Sequence, residues 1–179
     1  MQKKILIISS SPRKGGNSDL LCDEFAKGAQ EAGHATEKIY LQGKSIGFCM
    51  ACYACAKDAT CIQKDDVAAI LEKMAGADVI VLATPVYYYT MTGQLKTLID
   101  RTLPRYYMNK ISGKDFYFIV TAAEEKHTME RTVDGLRGFI ECLPDATLKG
   151  SIYGAGVYEK GEVKTKPVME EAYLMGRNA

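Results

Sequence analysis

An excess of charge of either sign is missing from this chain. Its 179 residues carry 23 lysines and arginines against 22 aspartates and glutamates, a net charge of +1. So balanced a composition lacks the basic footprint of a nucleic-acid binder. A long apolar run near the start is missing too. After Lys3 and Lys4 comes only Ile5-Leu6-Ile7-Ile8. That is shorter than a signal-peptide core of about 7–15 residues and far shorter than a membrane span of about 20. A cytoplasmic protein with no membrane and no nucleic-acid partner is the expectation. Histidine is scarce: His34 and His127 stand alone, with no carboxylate or thiol pattern beside them that suggests a triad, and neither is assigned a catalytic role. No G-x-x-x-x-G-K-[ST] and no G-x-G-x-x-G occurs, so the Walker A loop and the dinucleotide fingerprint are both absent. There is no internal repeat and no low-complexity stretch.

Cysteine, in contrast, is concentrated. Four of the six cysteines lie in "CMACYACAKDATC", residues 49–61. In a reducing compartment clustered thiols point to metal or redox chemistry more than to structural disulfides. Cys22 and Cys142 fall in expected helices and read as small buried hydrophobes.

The remaining pattern is an alternation of strands and helices. Residues 3–9, 36–41, 77–85, 115–123 and 146–153 read as strands, the first a short β-branched and leucine run suited to burial on both faces and the third a strong buried run that stops at a proline. Apolar residues recur at helical spacing in 18–32, in 67–74 after a cap at Asp65 or Asp66, in 92–103, in 129–143 and within 167–175. This order predicts an α/β fold, a doubly wound five-stranded parallel sheet of the flavodoxin-like type. The whole chain, 1–179, reads as a single domain with a cysteine-rich loop insertion at about 43–64. Ligands of such sheets sit at the carboxyl ends of the strands, near the topological switch point.

Two loops at that edge stand out. The first, "SSSPRKGGNS" (9–18), offers hydroxyl and amide donors, two glycines, Arg13 and the free N–H groups of the helix that follows. A phosphomonoester held without Mg²⁺ suits it. The second, "TPVYYYTMTGQLK" (84–96), puts three tyrosines just past a strand-ending proline. Tyr87 and Tyr88 could stack on a planar ring while N–H groups near Tyr89 and Thr90 meet its heteroatoms. Packing against a neighbouring subunit is the other reading.

Together, "SSSPRKGGNS" and "TPVYYYTMTGQLKTLIDR" resemble the NADPH-dependent FMN reductase and multimeric flavodoxin-like family. The resemblance runs from the first strand to at least Leu143. It implies FMN as cofactor, with Ser9, Ser11, Arg13, Asn17 and Ser18 at the phosphate and Pro85, Val86, Tyr87, Tyr88 and Tyr89 at the ring. Thr121, Ala122 and Ala123 fall where the family's third flavin loop lies. Ser10 replaces a glycine common in the family. No side chain is expected to act as acid or base, because the flavin carries the chemistry.

The spacing Cys49-x2-Cys52-x2-Cys55-x5-Cys61 can wrap a compact inorganic cluster, as in bacterial ferredoxins, although the last gap is longer and no proline follows. It is similar to the cysteine motif of the iron–sulfur flavoproteins, a branch of the same family with a [4Fe–4S] cluster beside FMN. Zinc, a Cys52/Cys55 dithiol and four free thiols are the competing readings. With a cluster, the chain would link one-electron donors such as ferredoxin to two-electron acceptors. Without one, it would be an NAD(P)H-dependent FMN or quinone reductase. A non-catalytic flavin or thiol redox sensor and a metal-stabilised interaction module are the alternatives of other classes. The resemblance also implies a homodimer or homotetramer.

Overall fold

The computed structural model describes residues 1–58, 60–104 and 109–179. Its strands are β1 (Lys4–Ser9), β2 (Ala35–Tyr40), β3 (Val79–Pro85), β4 (Asp115–Thr121) and β5 (Thr147–Gly154). They form one sheet in the order β2-β1-β3-β4-β5, every pairing parallel. The chain moves outward from β1 to β2, then crosses back to β3 on the other side of β1. The switch point therefore lies between β1 and β3, and the loops leaving those two strands emerge side by side at the carboxyl edge.

The helices are α1 (Asn17–Glu31), the single turn α2 (Cys55–Asp58), α3 (Val67–Gly76), α4 (Gly93–Asp100), α5 (Glu130–Glu141) and α6 (Val168–Arg177). Short 3₁₀ turns stand at Lys126–Met129 and Glu162–Thr165. Strand side chains alternate between faces. Ile5 and Ile7 of β1 join Leu21, Phe25 and Ala29 of α1 and Ala172 of α6 on one face. Leu6 and Ile8 join Ile70 of α3, Leu95 of α4 and Leu136 of α5 on the other. Burial on both faces is why β1, β3 and β4 read as nearly continuous apolar runs. The edge strand β2 buries only Ile39 and spends its other positions on Ala, Thr, Glu, Lys and Tyr. Each fully buried Leu, Ile or Phe contributes about 1.5–3 kcal/mol relative to exposure, so these two layers fix the frame on which the loops sit.

One helix contact is set by absent side chains. A Cβ on Gly28 would lie 2.0 Å from the Tyr173 carbonyl oxygen, and one on Gly176 would lie 2.0 Å from that of Phe25. Helices α1 and α6 thus meet backbone to backbone, which presses the segment after β5 close to the start of α1.

The expected elements are present with shifted ends. The terminal helix continues to Arg177, and the helix expected over 92–103 closes at Asp100 with Arg101 as its cap. The cysteine segment is not wholly loop, because Cys55–Asp58 makes one helical turn; its residue 59 lies outside the described residues. The expected cap of α3 divides between two residues. Asp65 accepts from the Val67 N–H at 3.2 Å, while Asp66 makes no cap bond and instead accepts from the Ser45 N–H at 2.7 Å. Cys22 is buried, but Cys142 is exposed. It follows the last residue of α5, where the helix has already turned its apolar stripe away. Among the described residues no helix is long and apolar enough to cross a membrane.

Candidate functional site

The loop after β1 is held from below. Ser9, Ser10 and Ser11 are all buried. Ser10 donates through its hydroxyl and its N–H to the Ala83 carbonyl, at 2.8 and 2.9 Å, and accepts from the Thr92 hydroxyl at 2.9 Å. A glycine here would lack these side-chain links, so Ser10 joins the β1 loop to the loop after β3. The Ser11 hydroxyl closes a tight turn with the N–H and carbonyl of Arg13. The buried Ser9 hydroxyl has no hydrogen-bond partner among the described residues.

Helix α1 then starts without a side-chain cap at Gly16. The N–H groups of Asn17, Ser18 and Asp19 have no intrahelical acceptor, and the positive end of the helix dipole faces the same space. Asp19, which could oppose an anion, is occupied. Its carboxylate accepts from the Gly15 N–H at 2.7 Å and from the Lys38 ammonium at 2.9 Å. Burial disfavours the Lys38 charge, but bonds to Asp23, Tyr40 and Asp19 outweigh it and hold the ammonium protonated well above its ordinary range. The Cys22 thiol beneath is pushed far up by burial and stays neutral.

The loop after β3 is a tight hairpin. Tyr87 and Thr90 exchange backbone bonds at 2.9 and 3.1 Å, and the two residues between them, Tyr88 and Tyr89, have φ of 51° and 63°. This is a turn of the primed kind, which favours Asn-Gly. Its base is tied by the Thr92 N–H to the Thr84 hydroxyl at 3.0 Å. The Val86 N–H donates to the Thr121 carbonyl at 2.8 Å, which joins this loop to the one after β4.

These pieces enclose a hollow of about 190 Å³ at the sheet's carboxyl edge. Of the residues expected from the sequence, Ser11, Arg13, Asn17 and Ser18 line it on one side. Pro85, Val86 and Tyr87 line it on another, and Thr121, Ala122 and Ala123 complete it. Ser9, Tyr88 and Tyr89 are not in its lining. Ser9 lies below it, while Tyr88 projects into solvent at 99 % exposure and Tyr89 turns to the Arg131 guanidinium, 5.4 Å from its ring. Val157, Tyr158 and Lys160, from the segment between β5 and α6, also line the hollow. No sequence pattern singled these out.

A second, smaller hollow of about 60 Å³ lies at the other end of α4 and is lined by all four clustered thiols. Cys49 and Cys52 are exposed, Cys55 and Cys61 half-buried. Burial raises the Cys55 thiol, and the other three cysteines add to the rise by like-charge repulsion. Ala51 and Tyr53, between the first cysteines, have φ of 50° and 55°. Among the described residues no three Cys, His, Asp or Glu side chains meet in an arrangement that could hold a metal ion.

What fixes this region is Arg101, only 2 % exposed. Its guanidinium donates to both oxygens of Asp65, at 2.7 and 3.1 Å, and to the Gly47 carbonyl at 2.7 Å. It also reaches Gln63 Oε1 at 3.2 Å and Cys61 Sγ at 3.4 Å. Both stems of the cysteine segment are thus clamped to the end of α4. Burial alone would raise the Asp65 carboxyl, but the Arg101 bonds and the N–H groups of Gly47 and Val67 outweigh it, leaving its pKa below the ordinary range. Arg101 is the residue of this region that reading the cysteines by spacing alone does not reveal.

Known proteins are similar to this chain. An iron–sulfur flavoprotein of Methanocaldococcus jannaschii is 35% identical over 136 residues, 76% of this chain and 70% of that one. One from Archaeoglobus fulgidus is 36% identical over 111 residues, 62% of this chain but 50% of its own length. This chain thus spans about half the length of several curated relatives it matches. Among solved structures, the NAD(P)H:quinone oxidoreductase from Methanothermobacter marburgensis superposes with a TM-score of 0.77 at 16% identity, covering 99% of this chain and 96% of that one. That likeness is one of fold. The family model for NADPH-dependent FMN reductase matches residues 3–155, and the chain therefore belongs to the NADPH-dependent FMN reductase family.

Proposed function

We propose that this chain is an FMN-dependent oxidoreductase or electron-transfer flavoprotein. The observation that carries this reading is the hollow at the switch point, where an uncapped helix start faces loops from β3 and β4. The residues fit the cofactor chemically. Ser11, Ser18, Arg13 and the open N–H groups of α1 suit a phosphate. Pro85, Val86, Tyr87 and Ala122 give the flat, largely apolar wall that suits a ring system. When bound, FMN supplies hydride or single-electron transfer at its ring. The protein's own part is to bind, orient and exclude water, and among the described residues no histidine or carboxylate lines the hollow. NAD(P)H or a quinone as redox partner is supported by the family and fold. The fully exposed Tyr88 and the exposed Phe48 and Tyr53 suit contact with a second copy, in a homodimer or homotetramer.

The four thiols support a second element. Their chemistry fits an iron–sulfur cluster, with zinc as the alternative, and Cys49, Cys52, Cys55 and Cys61 would be the ligands. The chain purified anaerobically should show flavin absorption, bind FMN more tightly than riboflavin, and bleach with NADPH or a reduced one-electron donor. Iron near four per chain that is lost on Cys52→Ala supports the cluster. Absence of FMN binding overturns the reading.

A further inference from the structure

The residues between β5 and α6 cross the phosphate side of the hollow, and a residue assigned by the sequence to the phosphate holds them there. Asn17, 9 % exposed and in the hollow's lining, commits most of its amide to another segment. Its Nδ2 donates to the Glu159 carbonyl at 2.9 Å, and its Oδ1 accepts from the N–H groups of Gly161 and Val163 at 3.0 and 3.3 Å. Three of its four hydrogen-bonding positions are used on one segment. The Glu162 carboxylate, accepting from the N–H groups of Tyr158 and Glu159 at 2.6 and 3.0 Å, folds that segment on itself. Arg13 reaches the Tyr158 carbonyl at 3.3 Å and stacks on its ring at 5.8 Å.

The outcome is the placement of Lys160. Its Cε and Nζ lie 3.1 and 3.3 Å from where a Cβ on Gly15 would stand. Its stem therefore passes over the glycine turn of the β1 loop, where φ is +69° and a side chain would be strained as well as crowded. Both Lys160 and Tyr158 line the hollow. Among the described residues the Lys160 ammonium has no hydrogen bond or ion pair, while the neighbouring Glu162 carboxylate is engaged with backbone. A free cation held over uncapped N–H groups is arranged for a dianion.

We propose that residues 157–163 form a strap fastened by Asn17, and that Lys160 on it is a direct ligand of the flavin phosphate. Asn17 is then a positioning residue rather than a phosphate ligand. This rests on the FMN reading above, and flavin affinity separates the two. FMN and riboflavin dissociation constants would be read by fluorescence quenching for the wild-type chain, Lys160→Met, Lys160→Arg and Asn17→Ala. Lys160→Met should weaken FMN about tenfold, as expected for one charge-assisted hydrogen bond at a partly open site. Riboflavin should be unaffected, and Lys160→Arg should keep most of the FMN affinity. Asn17→Ala should weaken FMN and also speed tryptic cleavage after Lys160, which a residue touching only phosphate would not do in the flavin-free chain. Unchanged FMN affinity in Lys160→Met, or equal losses for FMN and riboflavin, overturns the Lys160 assignment while leaving the FMN reading intact. Unchanged cleavage in Asn17→Ala overturns the strap. A wild-type chain that binds neither flavin overturns both the FMN reading and this one.

Discussion

The two hollows flank one helix and are built to different degrees. At the start of α4, Thr92 ties into Ser10 and Thr84 through buried bonds of 2.9 and 3.0 Å, and three loops already converge on the cavity. At its end, Arg101 clamps the stems of the cysteine segment, but Phe48, Met50, Tyr53 and Ile62 beyond the clamp are exposed, as are Cys49 and Cys52. The first site is preorganised, so a ligand need not spend binding energy ordering it. The second has its foundation set and its tip open. The difference predicts that FMN affinity does not depend on whether the thiols are occupied.

The largest test of that separation is Arg101→Met. It leaves the Asp65 carboxylate, with 9% side-chain exposure, without its cation. Breaking a buried pair from one side costs about 3–5 kcal/mol, read as a lowered urea midpoint. Arg101→Met combined with Asp65→Leu should recover most of the loss, because no orphaned charge remains. Alkylation of Cys61 should speed up, while FMN affinity below the melting range stays within about twofold, as for sites that do not share partners. The same carboxyl predicts an acid response. Its pKa is depressed in the folded chain, so its contribution is full above the ordinary carboxyl value of about 4 and fades as pH falls through the lower folded value. The stability gap between wild type and Asp65→Asn should therefore narrow on acidification. Parallel loss of flavin and cysteine-loop order in Arg101→Met would join the two regions into one unit.

A smaller test acts at the other end. Ser10→Ala removes a buried hydroxyl and leaves the Thr92 hydroxyl proton without its acceptor. The cost should be about 1–3 kcal/mol, with weaker FMN binding and unchanged alkylation of the clustered cysteines. Faster alkylation would mean that α4 passes disorder from one hollow to the other.

How much of this is legible in the sequence follows from the range of the interactions. β1, β3 and β4 announce themselves because burial on both faces leaves an apolar run, and the first loop because serines and glycines precede a helix. The direction of Asn17 is hidden, since its partners lie more than 140 residues downstream. Lys160 sits in "VYEKGEV", a charged stretch that reads as a solvated turn until α6 packs against α1 and brings it over Gly15. Arg101 reads as an ordinary helix-ending cation, and only the fold supplies Asp65. Cys142 shows the opposite error: helical spacing carried an apolar assignment one residue past the end of α5.

The smallest expected effect concerns strain in the hairpin beside the preorganised hollow. Tyr88 has φ of 51° and projects wholly into solvent. The left-handed region costs an ordinary residue about 1–2 kcal/mol, and among the described residues no packing repays it. Tyr88→Asn suits the turn and removes no buried contact, so it should stabilise the chain by about 1 kcal/mol. That corresponds to a melting-point rise of about 2–4 °C for a domain of this size. If Tyr88 serves an external contact, the same variant should lower the oligomer's mass at fixed concentration or raise KM for the acceptor. Stabilisation with neither change would show that the strain belongs to the loop backbone alone, held by the Tyr87–Thr90 bonds to keep Tyr87 and Val86 against the hollow. A loss of stability would show instead that the exposed ring is already repaid in the assembled protein, and that the preorganised site is completed by a second chain.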